Sequence, residues 1–290
     1  MKYVIEVDSL KKEYPGFTLD NISLKLPRGS ITGLIGPNGA GKTTTIKLLM
    51  NMIRADAGSV AIFGLNYRHD EKEIKNRIGY VGEEQYFYQN KTLAWTERFV
   101  SSFYREWDGN AFARFVESFK LPAKKKIRHF SRGMKVKLSF ALALSHNPSL
   151  LILDEPTSGL DPVIRREILD LLIDLKRKEE LSVLLSSHIT DDLFRISDLI
   201  TYMVDGRIII SEVKDELLAR WKKIVYRPGV LPDAVEKRLK NVEKQLFGSS
   251  GITDDYPQLA RHLAAGVSKG DVKVENVNLD DILISLVNGG

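Results

Sequence analysis

Residues 36–43 read Gly36-Pro37-Asn38-Gly39-Ala40-Gly41-Lys42-Thr43, and this stretch decides the fold. The apolar run Ile31 to Ile35 precedes it and a helical pattern from about Lys42 to Met50 follows, so the glycines occupy a turn from strand to helix. Backbone N–H groups curled inward around phosphate oxygens need angles and close approach that side chains would block, which is why such a turn is glycine-rich. The helix that starts there points its positive dipole end at the same anion. Lys42 can then reach β and γ phosphates as a point charge, and the Thr43 hydroxyl, with Thr44 beside it, is placed to ligate Mg²⁺. Strand before and helix after are the two contextual tests of a phosphate loop, and both are met.

A second stretch, Leu150-Leu151-Ile152-Leu153-Asp154-Glu155, is an apolar strand whose carboxyl end delivers two adjacent carboxylates. Ligand chemistry in open parallel sheets sits at such strand ends. Asp154 suits holding Mg²⁺ through a water, and Glu155 suits polarising an attacking water. A strand ending in Asp-Glu is by itself usually a solvated strand end; the phosphate loop turns the pair into a candidate site.

Outward from these two stretches, short apolar runs alternate with helical patterns, the order of an α/β domain with a mostly parallel core sheet. Tyr3 to Val7 and Ile22 to Leu26 alternate with period two, around Pro15-Gly16, and read as antiparallel edge strands. From about residue 84 to 148 the pattern is helical, with helices expected at Trp95 to Trp107, Ala111 to Phe119 and Arg132 to Leu144. The α/β pattern then resumes with a helix Ile164 to Glu179 and strands Ser182 to Ser186, Leu199 to Val204 and Arg207 to Ser211. Beyond Trp221 the expected order is a strand Lys223 to Tyr226, a helix from Asp233, a turn Gly248 to Gly251, a strand Val272 to Val274 and a helix from Asp280. Residues 1–220 therefore form the expected main domain, and 221–290 a small α+β accessory domain.

Composition excludes several classes. The 290 residues contain no cysteine, which rules out a disulfide framework, a cysteine nucleophile and a thiolate metal site. No apolar stretch approaches the roughly 18–20 residues that cross a bilayer, and the start MKYVIEVDSLKKEY lacks the order of a signal peptide, so a cytoplasmic chain is expected. Lys and Arg number 43 against 38 Asp and Glu, a net charge of only +5, and the densest basic run, Lys124-Lys125-Lys126 with Arg128, reads as a solvated edge. No nucleic-acid partner is expected.

Together these residues resemble the ATP-binding subunit of the ABC transporter family, over about residues 3 to 215. Phe130-Ser131-Arg132-Gly133-Met134, ahead of the amphipathic run Lys135 to Leu144, resembles the family signature. Pro156 to Asp161, PTSGLD, resembles the D-loop, and His188 in LLSSHIT the switch histidine. Tyr14 stands where the family has an aromatic residue stacked on adenine, with Phe17 as the alternative platform. The resemblance implies a P-loop NTPase of ABC ATPase type with ATP and Mg²⁺ as ligands, Lys42, Glu155 and His188 as the hydrolysis residues, and Asp161 at the nucleotide site. Ser131 and Gly133 open a helix and could present a hydroxyl and bare N–H groups to a γ-phosphate. The resemblance implies that this phosphate is bound to a second subunit, identical or related, in a head-to-tail dimer; read alone, Ser131 is an ordinary N-cap and His188 a turn histidine.

Two departures from the family pattern stand out. Glu83 follows the strand Ile78 to Gly82 where the family commonly has glutamine, leaving either Glu83 or, by a two-residue shift, Gln85 for the Mg²⁺-side role. Phe130, Arg132 and Met134 also replace the common signature residues. Similar changes, and the C-terminal NVNLDDILISLVNG, resemble the subgroup serving bacterial ABC-2-type exporters of peptide antibiotics and drugs. That implies integral membrane permease subunits on separate chains, which would hold this chain at the inner face of the membrane. The contact is expected from Glu83 to about Trp95, with Tyr86, Phe87 and Tyr88 as anchors. The competing readings are an ABC ATPase acting on nucleic acid or ribosomes, and a nucleotide-gated regulator with little hydrolysis.

Overall fold

The period-two alternation at the N-terminus becomes one long hairpin, β1 (Tyr3–Tyr14) and β2 (Phe17–Pro27), paired antiparallel with Tyr14 opposite Phe17. The computed structural model describes residues 2–177, 181–245 and 248–288. β3 (Ile31–Ile35), buried along its whole length, runs through the glycine-rich loop into α1 (Lys42–Leu49). The chain then returns as β4 (Ala57–Ile62), a strand not evident from the sequence, which completes a three-stranded antiparallel sheet in the order β2-β1-β4. α2 (Tyr67–Asn76), capped by the Asn66 side chain, leads to β5 (Ile78–Val81).

The helical stretch contains α3 (Leu93–Ser101), α4 (Gly109–Ser118) and α5 (Arg132–Leu144). α3 stops well short of the expected Trp107: the Ser101 and Ser102 hydroxyls bond back to the Arg98 and Phe99 carbonyls at 3.1 and 2.7 Å, competing with continued helix. These elements close on a cluster that includes Leu93, Phe112, Ile127, Phe130 and Leu138.

The α/β pattern then resumes with β6 (Leu150–Asp154), α6 (Pro162–Lys176), β7 (Ser182–Ser187), α7 (Thr190–Ile196), β8 (Leu199–Val204), β9 (Arg207–Val213) and α8 (Lys214–Arg220). The expected end of the α6 helix, Lys178 and Glu179, lies outside the described residues. These strands form a six-stranded sheet in the order β5-β6-β7-β3-β8-β9, parallel except for β9. Leu34, Ile152 and Leu184 pack toward the hairpin residues Ile22, Leu24 and Leu26, while Val183, Leu185 and Ile200 pack toward α6 and α7.

The C-terminal residues add β10 (Lys222–Tyr226), α9 (Asp233–Glu236), β11 (Lys240–Gln245), β12 (Gly248–Thr253), α10 (Tyr256–Lys269), β13 (Val272–Asn276) and α11 (Leu279–Asn288). Here the expected turn Gly248 to Gly251 is instead a strand, in an antiparallel sheet ordered β11-β12-β10-β13. Gly251 is there for space: a Cβ would lie 2.9 Å from the Leu239 Cβ. Trp221, Ile252, Val277, Leu279 and Ile282 share one core with Ile200 and Tyr202, and the Tyr202 hydroxyl donates to the Leu279 carbonyl at 2.9 Å. Burying Leu279 and Ile282 contributes about 1.5–3 kcal/mol each, so the last helix is fastened to the six-stranded sheet. Among the described residues no helix is long and apolar enough to cross a membrane.

Candidate functional site

β6, β7 and β3 are neighbours in the sheet, so the segments leaving their carboxyl ends emerge side by side. Those segments are Asp154-Glu155, His188 and the glycine-rich loop. A cavity of about 760 Å³ opens there, lined by Phe17, Asn38 to Thr44, Glu83, Glu155, Ser158 and His188. Gly39 and Gly41 have φ of 83° and 105°, left-handed angles that let the loop fold over the start of α1. Gly36 is required by close approach, since a Cβ would sit 2.2 Å from the Met203 carbonyl oxygen. Gly41 caps α1 with no side chain satisfying the first N–H groups, which leaves the positive end of the helix for a ligand.

Lys42 lies at the floor, 6% exposed, its Nζ donating to the Gly36 carbonyl at 2.8 Å and to the Pro37 carbonyl at 3.3 Å. The same ammonium is 3.3 Å from Glu155 Oε1. Glu155 Oε2 accepts from the His188 backbone N–H at 3.2 Å and lies 2.7 Å from His188 Nδ1. Glu155 holds this position at a φ of 49°, a strain of about 1–3 kcal/mol for a residue with a side chain. Its N–H donates to Ser186 Oγ at 3.0 Å, which fixes the strained turn to β7.

Asp154 Oδ1 accepts from Ser186 Oγ at 2.7 Å and from Thr43 Oγ1 at 3.2 Å. Burial pushes the Asp154 carboxyl above the usual carboxylate range, opposed by those two hydroxyl bonds. Ser186 thus anchors both carboxylate residues, a role hidden in the sequence, where it reads only as the end of an apolar strand.

The expected residues separate into two groups. Asn38, Gly39, Ala40, Gly41, Lys42, Thr43, Thr44, Glu83, Glu155 and His188 line the cavity, with Gly36, Pro37 and Asp154 directly behind. Ser131, Gly133 and Asp161 do not line it. Ser131 Oγ accepts from Met134 N–H at 3.2 Å as the N-cap of α5, and Asp161 Oδ1 accepts from the Val163 and Ile164 N–H groups as the N-cap of α6. These two helix starts touch, since a Cβ on Gly133 would meet Ile164 Cδ1 at 2.3 Å and one on Gly159 would meet the Arg132 guanidinium at 2.6 Å. At the hairpin tip Phe17 lines the cavity, whereas Tyr14 is 42% exposed with Lys12 over its ring.

Comparison with known proteins adds the family. A family described as ABC transporter matches residues 19–158. The bacitracin transport ATP-binding protein BcrA of Enterococcus faecalis is 34% identical over all of this chain and 98% of its own length. The ABC transporter ATP-binding protein YcbN of Bacillus subtilis (strain 168), uncharacterized, is 31% identical over all of this chain and 98% of its own. This chain belongs to the ABC transporter family. A solved ATP-binding subunit of an ABC transporter, 28% identical, superposes with a TM-score of 0.68 over 74% of this chain and 92% of that one. The ABC chain accordingly binds ATP and hydrolyses it.

Its cavity fits that ligand: the volume lies within the range of small-molecule sites, about 300–1,000 Å³, and an uncapped helix start and a buried lysine face the same space. Among the described residues of the ABC protein, no cluster of three or more His, Asp or Glu side chains could hold a metal unaided. Thr43 and Asp154 offer two hard oxygen donors next to the phosphate loop, with Glu83 lining the same cavity. Mg²⁺ suits such a place because it is commonly held by one or two carboxylates together with substrate phosphates and waters. Gln85 points elsewhere: its Nε2 donates to the Gly82 carbonyl at 2.5 Å and its Oε1 accepts from Ser139 on α5.

Proposed function

We propose that this chain is the ATP-hydrolysing subunit of an ABC-2-type exporter, working as two copies that close head to tail over two ATP molecules and move separate membrane permease subunits. The observation that carries the hydrolytic part is the Glu155 carboxylate, held between the Lys42 ammonium and the His188 ring at the floor of the phosphate cavity. In this reading Lys42 presents a desolvated positive charge to the terminal phosphates, and Glu155 accepts the proton of an attacking water that His188 orients. Mg²⁺, held by Thr43 and Asp154 with Glu83 nearby, supplies Lewis-acid charge to the phosphate oxygens when bound.

Ser131 lies exposed at the start of α5, away from the cavity of its own chain, where it can complete the site of a second copy; Gly133 beside it is buried against Ile164 and lets the two helix starts meet, and the exposed Asp161 belongs to the same surface. Phe17 supports the base, with Tyr14 opposite it across the hairpin turn. Residues 1–220 act as the ATPase, and 221–290 as an accessory part fastened to it through α11.

Export of a peptide antibiotic is supported by full-length relatives named for bacitracin transport. The permease seat is the segment after Glu83. Tyr86 is 87% exposed and Tyr88 60%, whereas Phe87 packs into the helical cluster. Tyr88 packs edge-on against the half-buried Trp95 and the exposed Phe99, with centroids 5.2 and 5.5 Å away. Such a seat would keep the chain peripheral at the cytoplasmic face. A Glu155→Gln variant given saturating ATP should elute from gel filtration as a dimer; elution as a monomer counts against the shared sites.

A further inference from the structure

Four residues beyond His188, on α7, Asp192 is 2% exposed and has both carboxylate oxygens engaged. Oδ2 accepts from Thr157 Oγ1 at 2.8 Å and Oδ1 from Arg165 Nε at 2.6 Å. Thr157, also 2% exposed, lies two residues beyond Glu155, and Arg165 is on α6. A buried carboxylate is costly unless its oxygens are bonded and its charge is matched, and here a hydroxyl and a guanidinium do both.

The consequence is a second tie between two segments that already meet at the site. The first joins Glu155 directly to His188; the second joins Thr157 and Arg165 to Asp192. Between His188 and Asp192 the chain has little freedom. The Ile189 N–H is bonded to Ser187 Oγ at 2.9 Å, α7 starts at Thr190, and Leu193 and Ile196 are buried in the core. Moving α7 would therefore move His188. Asp192 itself lies outside the cavity lining and cannot touch the nucleotide from there.

We infer that Asp192, gripped by Thr157 and Arg165, is a positioning residue that holds His188 in register with Glu155, so that loss of the grip slows hydrolysis without weakening ATP binding. The inference rests on the reading of Glu155 and His188 as the hydrolysis pair. A misplacement of about 1 Å in a reacting group can cost about 100-fold in rate, and ATP binding has no contact here to lose.

The test uses the full chain, with kcat and KM for ATP from steady-state turnover, ATP dissociation constants from calorimetry, and thermal midpoints. Thr157→Val keeps the shape and removes the hydroxyl; Thr157→Ser keeps the hydroxyl. Asp192→Asn removes the charge that Arg165 meets. The expected result is a fall in kcat of about tenfold for Thr157→Val and about tenfold or more for Asp192→Asn, with KM and the dissociation constant changed less than twofold. Thr157→Ser should recover at least half of the parent kcat. The inference is overturned if either variant keeps kcat within twofold of the parent. It is equally overturned if ATP binding weakens in proportion to kcat, or if Thr157→Ser fails to recover turnover. Glu155→Gln, run alongside, separates the two layers: retained turnover there defeats the underlying reading, whereas lost turnover there with normal Thr157→Val turnover defeats only the role of Asp192.

Discussion

Replacing Glu155 with glutamine changes charge and proton affinity but almost nothing in size. In the native site one carboxylate oxygen lies 3.3 Å from Lys42 Nζ and the other 2.7 Å from His188 Nδ1, so an amide can offer its single oxygen to only one of them. Removing a positioned general base costs about 10²–10⁴-fold in rate, which corresponds to about 3–6 kcal/mol at about 1.4 kcal/mol per decade. The fold survives, because Lys42 keeps the Gly36 and Pro37 carbonyls at 2.8 and 3.3 Å and faces an open cavity. The ground-state cost is therefore about 1–3 kcal/mol, against a total stability of about 5–15 kcal/mol. Phosphate release at saturating ATP should fall at least about 100-fold. The ATP dissociation constant, from calorimetry, should hold or tighten, since one negative charge facing a polyanion is gone. Turnover within about tenfold of the parent would refute the assignment and shift attention to Glu83, the other carboxylate lining the cavity.

Phe17→Ala should weaken ATP binding about tenfold, since stacking on a base is worth about 1–3 kcal/mol; an unchanged dissociation constant would remove Phe17 as the platform. Tyr86→Ala combined with Tyr88→Ala should leave basal ATPase activity intact and abolish its stimulation by the permease in proteoliposomes. Stimulation equal to the parent would place the seat elsewhere. His146 is 3% exposed, stacked on Tyr104 with its Nε2 3.1 Å from the Ile78 carbonyl, and burial holds its pKa below the ordinary 6.5. Its stabilising contribution is therefore complete above pH 6.5. As pH falls further the unfolded chain takes a proton that the folded one refuses, and stability drops by up to about 1.4 kcal/mol per pH unit. His146→Gln should remove that part of the slope below pH 6.5 in urea unfolding, and an identical slope would contradict it.

Local chemistry made much of the site legible. The phosphate loop needs its glycines, and β3 and β6 are apolar because both faces of a central parallel strand are covered. These signals located Lys42, Thr43, Asp154 and Glu155. What remained hidden depends on distant partners. β4 is exposed over its first three residues and fully buries only Ile62 in an outer sheet, so its pattern is weak. β12 begins Gly-Ser-Ser-Gly, which reads as a turn until Leu239 is seen pressing on Gly251. α3 ends early because two serine hydroxyls compete for its last carbonyls. Glu83 lines the cavity while Gln85 is bonded to Ser139 on α5, a contact that sequence spacing cannot show. Phe17 rather than Tyr14 lines the cavity because of which side of a two-residue turn faces the loop. Trp221, near the expected boundary, is buried in a core shared with α11, a contact between residues too far apart in sequence for periodicity to reveal.

The claim that two copies share each ATP can be tested directly, because the sequence contains no cysteine of its own. Asn38 in the phosphate loop and Ser131 at the start of α5 are both exposed, so Asn38→Cys and Ser131→Cys can be placed on separate chains in the Glu155→Gln background and mixed. With ATP and Mg²⁺ under mild oxidation, a disulfide between the two chains should form, and without ATP it should not. No cross-link at saturating ATP, or the same yield with and without it, would contradict a site completed by a second copy.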